Sequence, residues 1–150
     1  MKKILTLTIL LVIYFTSVCH AIDLTDKRWF RAFDDEIQGR QFIDLQTMEF
    51  PEDMKDQFGC NSNHRYVSTW IYFDDPKLKK KKYSYMMSLV HWDLDCKKMK
   101  VETTIMYNKK GAAIHTQNFA NSPAERAVPG TVGEFLVSAV DALWNVFHEK

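Results

Sequence analysis

An α+β domain is the fold class this 150-residue sequence predicts: an antiparallel sheet of five or six strands with one C-terminal helix packed on one face. Three observations lead there. Short runs rich in β-branched and aromatic residues, each closed by turn formers, follow one another between residues 25 and 119. Helical spacing of apolar residues is confident in the last stretch alone, after Pro129. No repeat, low-complexity tract or flexible linker interrupts the body of the chain, so it reads as one domain with one core.

The chain opens with Met1-Lys2-Lys3, an apolar run from Ile4 to Phe15, and the short stretch Thr16 to Ala21 before the first acid at Asp23. This is the pattern of a secretory signal peptide, residues 1–21, with cleavage after Ala21 leaving a single domain of residues 22–150. An apolar run of about 12 residues is shorter than the roughly 20 that a membrane-spanning helix needs. Lipid attachment at Cys19 is the weaker alternative, because Thr16-Ser17-Val18 lacks the leucine and small residue that such a signal places before its cysteine.

Along the exported part, Thr25 to Phe33 and Gly39 to Met48 read as a first hairpin around the charged turn Asp34 to Gly39. Phe50 to Asn63 is dense in turn formers and reads as a loop with one helical turn that carries Cys60. Arg65 to Phe73 is a strongly β-branched and aromatic strand, and Tyr83 to Cys96 a second long one. Met99 to Tyr107 alternates, with Met99, Val101, Thr103, Ile105 and Tyr107 facing one way. The turn Asn108 to Gly111 leads to a last strand from Ala112 to Phe119. In the C-terminal stretch, Thr131 is placed as N-cap with Glu134 three residues on, a capping box. The apolar stripe of that helix runs through Val132, Phe135, Leu136, Ala139, Val140, Leu143, Val146 and Phe147. Trp144, off the stripe, is a rim residue or a partner contact.

The full chain holds 20 basic and 19 acidic residues, a net charge of +1; without Lys2 and Lys3 the balance is 18 to 19, or −1. Nothing in that balance calls for nucleic acid or an anionic membrane. Two cysteines, Cys60 and Cys96, remain after the signal peptide, and export to an oxidising compartment makes a structural disulfide between them the default expectation. Closing a loop of about 36 residues would contribute roughly 4 kcal/mol in the chain-entropy picture. A redox-active dithiol is disfavoured, since such pairs usually sit closer together in sequence.

The stretch His91-Trp92-Asp93-Leu94-Asp95-Cys96 concentrates residues that could carry chemistry. A strand's period of two sends His91, Asp93 and Asp95 to one face and Trp92, Leu94 and Cys96 to the other. The first set could in principle hold a divalent ion or share a proton, as in a metal-dependent hydrolase, but at about 6.5 to 7 Å apart they are widely spaced for one shell. A half-buried strand with a solvated polar face explains the same letters. No GxSxG, HExxH, P-loop, CxxC or GxGxxG pattern accompanies them. The expectation is therefore a non-enzymatic protein with no catalytic residue, no metal ligand and no cofactor, with His64 and His115 as surface residues.

Lys77, Lys79, Lys80, Lys81 and Lys82 form the strongest charge feature, at the tip of the hairpin that follows Asp74-Asp75-Pro76. As a binding knob they would attract an anionic partner with steep salt dependence; as a solvated turn they would blunt an edge against aggregation.

The order of these motifs, from the Ile43-Asp44 step and the strand Tyr66 to Phe73, through Leu94-Asp95-Cys96-Lys97 and Met106 to Gly111, to the helix start at Pro129-Gly130-Thr131, resembles the surface-adhesin protein E family of small exported bacterial proteins. The likeness runs from about Trp29 to Leu143. It implies an antiparallel sheet packed by a C-terminal helix, no known enzymatic activity, and for the best-characterised member adhesion to host matrix and plasma proteins. The family's cysteine after Asp commonly pairs with one in or after the last helix, whereas residues 130–150 contain none. The resulting expectation is a periplasmic, secreted or surface protein that binds a host or envelope protein, with a periplasmic enzyme inhibitor as the rival.

Overall fold

A computed structural model describes residues 22–60, 63–79 and 82–148. The signal-peptide reading, with Cys19 and Ala21, lies outside the described residues, as do Lys80, Lys81 and the side chain of Lys79. The described chain is an antiparallel sheet with one long C-terminal helix, the predicted α+β class.

The strands are β1 (Trp29–Asp35), β2 (Gly39–Asp44), β3 (Tyr66–Asp74), β4 (Tyr85–Asp93), β5 (Lys98–Tyr107), β6 (Ala113–Asn118) and the two-residue β7 (Glu125–Arg126). The first six lie side by side in sequence order, and β7 shares the outer edge of β5 with β6. Helical segments are α1 (Lys55–Phe58), α2 (Pro76–Lys79) and α3 (Val132–His148). The β1–β2 turn needs Gly39: its φ is +87°, and a Cβ there would meet the Asp74 carbonyl oxygen at 2.3 Å.

Alternation along β2 and β3 sorts the core onto both faces of the sheet. Ile43, Val67, Ile71, Val90, Trp92 and Leu94 pack with Leu136, Val137, Val140 and Leu143 of α3. Their chain neighbours point the other way. There, Phe42, Tyr72 and Tyr85 are covered by Ile22, Leu24 and Trp29, and Tyr66 is covered by Met54 and Phe58 from the segment that carries α1. The second face is thus roofed at both ends rather than open to water.

Three details differ from the sequence reading. The helix buries Val137 and leaves Phe135, Val146 and Phe147 exposed at 52, 67 and 45%, so its packed face is rotated from the predicted stripe. The capping box is not made: Glu134 accepts from the Gly130 N–H at 2.8 Å, one residue before Thr131, and the Thr131 hydroxyl donates to the Val128 carbonyl at 2.6 Å. In β5, Thr103 pairs with Leu89 and Val101 with Val90, leaving Glu102 as an extra residue in a bulge. The bulge inverts the alternation, so Met99 and Val101 face α3 while Tyr107 stacks on Tyr85 on the other side.

Candidate metal centre

Where β3 begins and β4 ends, Cys60, His64, Asp93 and Cys96 converge, and their ligand-type atoms all lie within 4.8 Å of one another. Each is placed by local structure. Gly59 closes α1 in the left-handed region, φ +64°, and the Cys60 N–H donates to the Lys55 carbonyl at 3.0 Å, which turns Cys60 back toward the sheet. Phe58 anchors that turn by stacking on Tyr66 at 5.7 Å and by accepting from Lys98 Nζ at 3.1 Å.

His64 precedes β3, and the chain beside it is held on three sides. The Arg65 N–H donates to Asp95 Oδ2 at 2.7 Å, its guanidinium reaches Asp95 and Asp141 of α3, and its carbonyl accepts from the Leu94 N–H at 3.0 Å. Asp93 is the last residue of β4, opposite Tyr66, and is fully buried. The turn after it brings Cys96 round to the same side, with the Cys96 N–H donating to Asp93 Oδ1 at 2.9 Å and Lys97 taking φ 52°.

The other carboxylate oxygen is the hub. Asp93 Oδ2 accepts from His64 Nδ1 at 2.8 Å and from the Cys60 thiol at 3.1 Å, while Cys96 Sγ lies 3.7 Å from His64 Nδ1. Burial alone would push the Asp93 carboxyl up, but the bonds from His64, the Cys96 N–H and Cys60 together hold it below the ordinary carboxylate range. The Cys60 thiol is pushed up to about 11, first by its bond to Asp93 and then by burial and the charge of Asp93. The Tyr66 hydroxyl is raised by burial and then by the charge of Asp93.

Two thiols, an imidazole and a carboxylate are the donor types that zinc takes, with bond lengths of about 2.3 Å to sulfur and 2.0–2.2 Å to nitrogen or oxygen. A tetrahedron with such bonds has edges of about 3.3–3.8 Å, so the 2.8, 3.1 and 3.7 Å separations need to change by roughly half an ångström at most. The ligands also come in two local pairs, Cys60-x3-His64 and Asp93-x2-Cys96, within the two-to-four spacing of structural zinc turns. Sulfur donors disfavour calcium and magnesium. Four protein donors would fill a tetrahedral shell, which suits a closed structural site rather than one with a position open for catalysis.

The structure therefore corrects several expectations. Cys60 and Cys96 do come together, but as free thiols and not as a disulfide. His64 is not a surface residue, its side chain being 17% exposed, whereas His115 is exposed. The polar face read as solvated is buried at two of its three positions: His91 is 6% exposed and Asp93 0%, while Asp95 is exposed. His91, Asp93 and Asp95 do not converge as a hydrolase site would require. His91 bonds Ser68 Oγ and Glu102 Oε2, each at 2.7 Å, and Asp95 pairs with Arg65. The Ser68–His91–Glu102 array resembles a nucleophile relay, but the Ser68 hydroxyl is buried beneath Met54, so it ties strands together.

Of the lysine run, Lys77 and Lys82 are exposed, flanking the hairpin tip. Among the described residues no helix is long and apolar enough to cross a membrane. Comparison with family models, with curated proteins and with solved structures gives no match to the chain.

Proposed function

We propose that this chain is an exported, non-enzymatic domain that holds one zinc ion between Cys60, His64, Asp93 and Cys96 as a structural cross-link. The single observation behind this reading is the meeting of four zinc-type donors from two separated turns within 4.8 Å. Such a cross-link joins the α1 segment, the start of β3 and the β4–β5 turn. The test is titration calorimetry of the reduced domain with zinc. One ion per chain is expected, with binding lost or weakened by more than about tenfold in His64→Ala and in Cys96→Ser. Equal affinity in wild type and both variants would refute it.

A second reading, an adhesin-like or envelope protein that binds a protein partner as the resemblance to the protein E family implies, is supported by one surface. Phe135, Val146 and Phe147 stand exposed along α3, and Phe147 lies beside Phe50 with ring centroids 5.7 Å apart. Binding to matrix proteins at physiological salt that falls in Phe147→Ser is expected. Capture of an envelope enzyme with loss of its activity would favour the inhibitor rival instead.

A further inference from the structure

We infer that the metal centre is also a thiol–disulfide switch: Cys60 and Cys96 form a reversible disulfide that excludes the cation, so the site has two mutually exclusive closed forms. The inference rests on the zinc reading above. Its own support is the presence of both thiols, free, inside one four-group cluster whose sulfur atoms lie no more than 4.8 Å apart. A disulfide needs about 2.05 Å, so the sulfurs must approach by less than about 3 Å. Both cysteines have their backbone held, Cys60 through its N–H to the Lys55 carbonyl at 3.0 Å and Cys96 through its N–H to Asp93 Oδ1 at 2.9 Å, so the approach falls to the two side chains. The Cys60 sulfur touches Asp93 at 3.1 Å and the Phe58 carbonyl at 3.7 Å, and Cys60 packs beside Met54, Phe58 and Tyr66.

The two forms exclude each other on chemical grounds. Two zinc-bound thiolates sit about 3.8 Å apart at vertices of a tetrahedron, and bonded sulfurs cannot span that edge. Once paired, the sulfurs lose the negative charge that binds zinc, leaving His64 and Asp93 alone, two donors where four are needed. The oxidant is a low-molecular-weight disulfide. One cysteine thiolate attacks a sulfur of that disulfide, forming a mixed disulfide and expelling one thiolate. The second cysteine thiolate attacks the protein sulfur of the mixed disulfide, closing Cys60–Cys96 and expelling the other. The two expelled thiolates take up two protons from solvent, the cysteine pair is oxidised by two electrons, and zinc leaves as the divalent ion.

The experiment treats the zinc-loaded domain with an aromatic disulfide while a chromogenic chelator reports free zinc and mass spectrometry maps the bridge. One zinc released per Cys60–Cys96 bridge is expected, with affinity for added zinc reduced by more than about 100-fold in the oxidised chain and restored by reductant. His64→Ala separates the two claims, since it keeps both thiols: it should still form the bridge, and zinc should no longer slow that oxidation. An oxidised chain that binds zinc as tightly as the reduced one, or mixed disulfides that never close to Cys60–Cys96, would overturn the switch and leave the zinc reading standing. A reduced chain that takes up no zinc while bridging readily would overturn the zinc reading and the switch with it.

Discussion

Asp93 shows how one buried carboxylate organises its surroundings. Its Oδ1 fixes the turn that presents Cys96, and its Oδ2 collects the hydrogen bonds of His64 and Cys60. Replacing it by Asn keeps the size and removes the charge. Asp93→Asn should lower the stability of the metal-free domain by about 1–3 kcal/mol, measured by urea unfolding, because the buried donors lose a charged acceptor. It should also weaken zinc binding by more than about tenfold. Unchanged stability together with unchanged zinc affinity would contradict the role given to this residue. The spacing Cys60-x3-His64 and Asp93-x2-Cys96 was present in the letters, and the expectation of a Cys60–Cys96 disulfide anticipated that the two cysteines meet but not that they stay free thiols. What hid the site was the assumption that the period of two continues through Cys96. β4 stops at Asp93, and the turn that follows swings Cys96 to the aspartate's side.

At the scale of elements, the strands were legible because β-branched and aromatic runs alternate with turn formers, and each predicted run contains a strand within a few residues. The bulge at Glu102 was not, since an extra residue in one strand depends on its partner's register rather than on its own sequence. The packed face of α3 was also shifted, because stripes drawn from Phe135 and from Val137 both fit helical spacing and the sheet chooses between them. Leu143→Ala should therefore cost about 2–5 kcal/mol in chemical unfolding, whereas Val146→Ser should stay within about 0.5 kcal/mol. Comparable losses would mean the helix is docked in another rotation. The aromatic ladder on the opposite face makes a pH prediction. The Tyr72 hydroxyl is pushed up to about 12, first by burial and then by Asp74, so the folded state holds its proton more tightly than the unfolded chain does. That contribution is fully present below about pH 10 and is lost as pH rises toward 12, about 2–3 kcal/mol in all. Tyr72→Phe should flatten this alkaline loss in unfolding titrations; an unchanged slope would refute it.

For the whole molecule, the proposed metal site lies at one end of the central strand pair and would join segments that Phe58–Tyr66 stacking and the Arg65 bonds already hold side by side. Helix α1 is only four residues long and is held by Phe58 with Met54 beside it, and a cross-link through Cys60 would add to that contact. Zinc at a hundred times its dissociation constant should add about 2.7 kcal/mol to the folded state and raise the melting temperature by roughly 10 °C. Export through residues 1–21, as proposed, would carry the domain to a compartment where zinc and oxidation compete for the same two sulfurs. X-ray absorption at the zinc edge of the reduced, zinc-loaded chain addresses the coordination itself. The account predicts two sulfur neighbours at about 2.3 Å and two nitrogen or oxygen neighbours at about 2.0–2.2 Å. A shell of nitrogen and oxygen alone, with no sulfur scatterer, would contradict it.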